Sequence, residues 1–167
     1  LLNVGNIVDG QLDLSNTSRF LSEDEAFGKY AHFLCEPYDI VMASSGVTWG
    51  KTAIVDKSHL PLSMNTSTIR LRPKSEKMLL RQYLRGFIES PFFVRQIEIL
   101  ITGSAQPNFG PSHLNQVEIL VPSIERQLAY SEIVDRWSRL RAQQREALRQ
   151  AEHLFQGLLQ AAFRGEV

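Results

Sequence analysis

Residues 123–164 read as one long helix, and few folds can accommodate an apolar seam that long. Trp137, Leu140, Gln144, Ala147, Ala151, Leu154, Leu158 and Ala161 recur at alternating steps of three and four residues. All eight therefore share one seam with coiled-coil spacing. A second row, Arg141, Leu148, Phe155 and Ala162, widens the apolar face towards the C-terminal end. No proline follows Pro122, and the interior Gly157 costs only about 1 kcal/mol against alanine, so the helix is expected to run through. Its ends are marked: Pro122 disfavours helix before it, Ser123 can cap, Glu125 suits the first turn, and Arg164-Gly165 supplies a basic last turn and a stop.

At about 1.5 Å per residue such a helix reaches roughly 60 Å, the length of a spacer or dimerisation arm rather than a core element. It could pack on its own globular domain, but Gln144 and the small Ala147 and Ala151 suit close helix-helix approach better than burial against a sheet. Arg139, Arg145, Glu146, Arg149 and Glu152 flank the seam as partner-selecting charges do. One chain offers one such helix. Its partner is expected to be a second chain or a repeat of this unit.

The remainder is expected to be one globular domain, residues 1–122, followed by the helix over 123–165. The 167 residues are 43% hydrophobic and 22% charged, enough for one core and against disorder. The formal net charge is zero, which neither supports nor excludes a nucleic-acid partner, since a local basic surface can be offset elsewhere. A single cysteine, Cys35, excludes an internal disulfide framework and fits a reducing compartment. There is no membrane-spanning apolar run and no signal-peptide pattern, so a cytoplasmic location is expected. The chain opens on Leu1-Leu2-Asn3 without methionine, as expected of a fragment or of a chain whose numbering has been shifted.

Within the domain, a strand is expected over residues 2–8, turned by Asp9-Gly10. Ser22-Glu23-Asp24-Glu25 reads as a capped helix start whose carboxylates form a solvated face rather than a metal site. A turn at Pro37-Tyr38-Asp39 leads into a strand over 39–43, and a second strand is expected over 53–56. Between them, Ser44 to Thr52 imitates a phosphate-binding loop, but only Val47-Thr48-Trp49 separates Gly46 from Gly50-Lys51, and strand residues follow where a helix is required. Either a hairpin that approaches another surface closely, with Trp49 at its tip, or a turn with a partly buried tryptophan fits better.

Over residues 66–72, Thr66, Thr68, Arg70 and Arg72 alternate with Ser67, Ile69 and Leu71. That pattern is a half-exposed strand, its polar side either solvated or suited to phosphate and base-edge contact. Residues 75–89 read as a helix with Met78, Leu79, Tyr83 and Phe87 at core spacing, and 91–101 as a second helix capped by Ser90-Pro91. A polar loop over 102–112 leads to a helix start at which His113 is a structural contact rather than a ligand, and 117–122 reads as a strand feeding the long helix. The fold class is therefore α+β, a mixed or antiparallel β-rich domain followed by one long coiled-coil helix.

The order of several short motifs resembles one family. They are Val4-Gly5-Asn6-Ile7, Tyr38-Asp39-Ile40-Val41, Gly46 to Lys51, Asn65-Thr66, Gly103-Ser104-Ala105-Gln106-Pro107-Asn108, Leu120-Val121-Pro122 with Glu125-Arg126-Gln127, and the closing Leu158-Leu159 to Glu166. Together they are similar to a target-recognition domain and conserved helix of the specificity subunit of type I restriction-modification systems.

The resemblance implies a non-catalytic reader of one half of a bipartite site in double-stranded DNA, with paired long helices setting the gap between halves. It implies as partners a methyltransferase (modification) subunit, the restriction subunit as a further candidate, and a second recognition unit or an identical chain paired through the long helix. The domain itself would need no cofactor, S-adenosylmethionine and ATP belonging to partner subunits. Such a subunit has two domains and two helices, so this chain is expected to be a half-subunit, a shortened form or a fragment. Expected DNA contacts are Ser44, Ser45, Thr48, Trp49 and Lys51 in the first loop, Asn65, Thr66, Arg70 and Arg72 around the strand over 66–72, and Ser104, Gln106 and Asn108 in the later loop, with Lys74 or Arg81 on phosphates. The alternative is a coiled-coil assembly protein whose head binds protein rather than DNA.

Overall fold

The computed structural model describes residues 1–101 and 108–165. The chain divides into two compact units, Leu1–Ile124 and Glu125–Val167.

The first unit is built around a short hairpin and a three-stranded sheet. Strands β1 (Ile7–Val8) and β2 (Gln11–Leu12) pair antiparallel across Asp9 and Gly10, whose positive φ values of 50° and 79° are those of the tight hairpin turn expected there. The strand expected over 2–8 is shorter than its pattern. Val4–Asn6 winds into one turn of 3-10 helix, because the Asn3 and Asn6 side chains cap its amides in place of a strand partner. Helix α1 (Glu23–Phe27) starts as expected, with Ser22 and Glu25 capping each other's backbone amides.

The main sheet runs in the order β4 (Thr52–Ile54), β3 (Ile40–Ala43), β5 (Thr68–Leu71), all antiparallel, with Val41 opposite Ala53 on one side and Arg70 on the other. β3 is buried on both faces, which is why it reads as an unbroken apolar run. Val41 and Ala43 join one core with Leu2, Ile7, Val55 and Leu62; Ile40 and Met42 join another with Ile88, Phe93, Ile97 and Phe109.

Helices α2 (Arg81–Ile88) and α3 (Pro91–Leu100) supply the second core. α3 begins as expected at Ser90-Pro91, the serine hydroxyl accepting the Phe93 amide. α2 starts six residues later than its pattern, since Ser75 holds the preceding segment in a turn through bonds from the Met78 and Leu79 amides to its carbonyl. Met78 consequently lies exposed, while Phe87 packs in the core as expected, joined there by Leu84 and Ile88. A single turn, α4 (Pro111–Leu114), follows.

Residues 117–122 form no strand. No neighbouring strand pairs with them; instead the Gln96 side chain donates to the Glu118 carbonyl (2.9 Å) and accepts its amide (2.8 Å), and the Tyr83 hydroxyl donates to the Leu120 carbonyl (2.9 Å). Side chains thus replace the missing ladder.

The second unit is the helix α5 (Ile124–Arg164), 41 residues without interruption, followed by Gly165 at φ 72°. The expected α+β architecture with a long terminal helix is what the chain adopts. Along the seam Trp137 is 57% exposed, Leu154 65% and Leu158 53%. No helix among the described residues is long and apolar enough to cross a membrane.

Replacing Gln96 with alanine removes both bonds to Glu118. At about 1 kcal/mol net per hydrogen bond, we expect a loss of about 1–2 kcal/mol in urea unfolding and faster hydrogen exchange at the Glu118 amide; an unchanged midpoint would show the linker to be held by packing alone.

Candidate DNA-contact surface

The loop between β3 and β4 is a hairpin, not a nucleotide loop. The Gly50 amide donates to the Ala43 carbonyl and the Ala43 amide to that of Lys51, both at 2.9 Å, and Gly46 and Gly50 take positive φ near 80° (81° and 82°) to close the turn. Trp49 is not its tip. The indole packs edge-on against Phe109 with ring centroids 5.7 Å apart, and Val47 stands outermost, fully exposed.

Phe109 brings a distant stretch of chain to the same place. Its amide donates to the Ser44 carbonyl (3.0 Å), and Asn108 forms an isolated antiparallel bridge with Ser45. A third stretch arrives through Ser67, whose carbonyl accepts the Ser44 amide (2.9 Å). Here Asn65 is a scaffold residue: its side-chain oxygen accepts both the amide and the hydroxyl of Ser67 (3.0 and 2.7 Å), a turn that leaves Thr66 exposed at its crest.

Between these stretches lies a cleft of about 530 Å³, lined by Ser44, Thr66, Thr68, Arg70 and Asn108 together with His32, Ser112 and His113. Four of the expected contact residues, Ser44, Thr66, Arg70 and Asn108, therefore converge from three separate stretches of the chain. The two histidines and Ser112 were not among them. His113 is held as a structural contact, its Nδ1 accepting the Gly110 amide (3.1 Å), which leaves Nε2 to carry the proton of the neutral ring. A second cleft of about 380 Å³, lined by Trp49, Lys51, Thr52 and Glu89 among others, lies on the other side of the hairpin. There Glu89 accepts from the Thr52 hydroxyl and from Arg85 Nε, while Arg85 also donates to the Gly10 carbonyl (3.0 Å), binding both hairpins to α2.

Arg70, in β5, and Arg72, just beyond it, are engaged within the protein. Asp39, fully buried, accepts two bonds from Arg72 (2.6 and 2.9 Å) and one from the Glu36 amide (2.7 Å). Arg72 also reaches Glu36 (2.6 Å), and these bonds, that to Asp39 foremost, raise its pKa above the usual range. Arg70 lies 3.8 Å from Asp39 and donates to the Leu34 carbonyl. Arg81 pairs with Glu76 (2.8 Å) and stacks over Tyr38. Lys51 and Lys74 are exposed, and Thr48 is half-buried beside the hairpin tip. Ser104 and Gln106 lie outside the described residues. Among the described residues no cluster of histidine, cysteine and carboxylate groups could hold a metal ion.

The family model for the type I restriction modification DNA specificity domain matches residues 8–150, through the first unit and into α5. The chain belongs to this family. No curated protein matches it. Membership in the type I specificity-domain family assigns the chain a DNA-recognition role in restriction-modification.

Two outcomes follow from the buried groups. Breaking a buried ion pair costs about 3–5 kcal/mol, but Arg72 is about a third exposed and Arg70 remains near Asp39. We therefore expect Arg72→Met to lose about 2 kcal/mol in chemical unfolding, and no loss would mean that Arg70 alone suffices. Burial first, and the charge of Asp39 second, push the Cys35 thiol from 9.0 up to about 11. The folded chain keeps this proton where the unfolded chain loses it, so the associated stability is whole below pH 9 and is lost as pH rises towards 11. Iodoacetamide at pH 8 should label Cys35 slowly in the native protein and rapidly in urea; equal rates would contradict its burial.

Proposed function

We propose that this chain reads one half of a bipartite site in duplex DNA and that α5 pairs with a second recognition unit, or a second copy, to set the distance between halves. The observation that carries this reading is the combination of the family match with an apolar helix seam left uncovered in the chain itself. Trp137, Leu140, Gln144, Ala147, Ala151, Leu154, Leu158 and Ala161 would form the pairing face, with the Glu146–Arg149 ion pair beside it.

Base contacts are assigned to Ser45, Thr48, Thr66 and Asn108, which lie at or near the rim of the converging loops, and to Ser104 and Gln106. Ser44, Asn65, Trp49, Arg70 and Arg72 act chiefly by shaping that surface, because their backbones or polar groups are already engaged. Lys51 and Lys74 supply phosphate contacts, and Arg81 can do so only by giving up Glu76. The module is non-catalytic: methylation and cleavage, with S-adenosylmethionine and ATP, belong to the modification and restriction subunits that dock on it, and it works in the cytoplasm. The assembly-protein reading has one observation in its favour, the zero net charge.

Enrichment of a randomised duplex pool by this chain assembled with its modification subunit tests the proposal. A short motif repeated at a fixed gap is expected, and the double variant Leu154→Glu, Leu158→Glu should retain the half-site motif while losing the fixed gap. Retention without any enriched motif would reduce the chain to a nonspecific binder, and no retention at all would favour the assembly reading.

A further inference from the structure

Isolated exposed apolar side chains are ordinary on protein surfaces, and Val47 would be one more were it not for its position. It is fully exposed on the hairpin that carries Ser45 and Thr48. The loop beneath it is fastened on three sides, by the Gly50–Ala43 bond, by the Ser45–Asn108 bridge and by Trp49 against Phe109. Among the described residues nothing lies within 4 Å of where a Cβ would stand on Gly46 or Gly50.

Hydroxyl and amide groups near the tip can complement donors and acceptors on base edges. A valine can complement only an apolar group. In duplex DNA the major groove displays one such group, the C5 methyl of thymine. Being β-branched, Val47 has little rotamer freedom to lose when it is held against that methyl. Resting on the DNA-recognition reading above, we infer that Val47 reads a thymine methyl and makes the hairpin select an A·T pair in one orientation at one position of the half-site.

The test uses two randomised duplex pools, one made with thymine and one with uracil in its place, enriched by the same assembled complex. From the thymine pool, thymine is expected at one position; from the uracil pool, that preference disappears while the rest of the motif remains. Val47→Ser should lose the same preference in the thymine pool and bind the selected thymine duplex about fourfold more weakly, the value of one buried methylene-sized contact. Val47 is fully exposed, so the melting temperature of the Val47→Ser variant should not change. A motif equally strong in both pools, or unaltered by Val47→Ser, overturns this assignment alone; the absence of any motif overturns the DNA reading and this assignment with it.

Discussion

A four-residue strand and one carboxylate organise the first unit. β3 has a strand on each edge and a core on each face, Val41 and Ala43 on one side, Ile40 and Met42 on the other. Asp39, at its start, is buried with Arg72 in two-bond contact, Arg70 near by and the Glu36 amide on its second oxygen. An unpaired charge there would be far costlier than the pair is stabilising. The ion pair thus fixes where β3 begins and how β5 lies beside it, and the loop leaving the other end of β3 inherits that placement.

On the proposed reading, that loop carries the fold to DNA. Strand β3 continues into Ser44, whose amide and carbonyl bind the Ser67 and Phe109 stretches, so three segments separated in sequence meet at one hairpin base. Rigid backbone bonding below and exposed side chains above are what a recognition surface requires, since side chains can then change without disturbing the sheet. Thr66, Asn108 and Val47 occupy the exposed side, and Asn65, Trp49 and Ser44 the supporting one.

Features governed by near neighbours were legible in the sequence. The Asp9-Gly10 turn, the Ser22–Glu25 cap, the Ser90-Pro91 start and the uninterrupted α5 all depend on residues within a turn or two of one another. What depended on distant partners was not. Arg70 and Arg72 read as a free basic face because Asp39, which engages them, lies more than thirty residues earlier. Residues 117–122 are apolar enough to read as a strand, but whether a strand forms depends on a neighbour, and here Gln96 and Tyr83 take its place. Of the two readings open for Trp49, the partly buried one holds, and the sequence could not choose it because the partner, Phe109, lies sixty residues away; His32 gave no signal before the cleft assembled around it.

The proposed function puts the DNA contact on the face formed by the hairpin, the Asn65 turn and the 108–113 stretch. Amide hydrogen exchange of the assembled complex, with and without an enriched duplex, addresses it directly. Slowed exchange should concentrate at residues 45–51, 65–67 and 108–113, while α1 and the β1–β2 hairpin stay unchanged. Protection confined to α1 or to α5, with those three segments unaffected, would contradict the account.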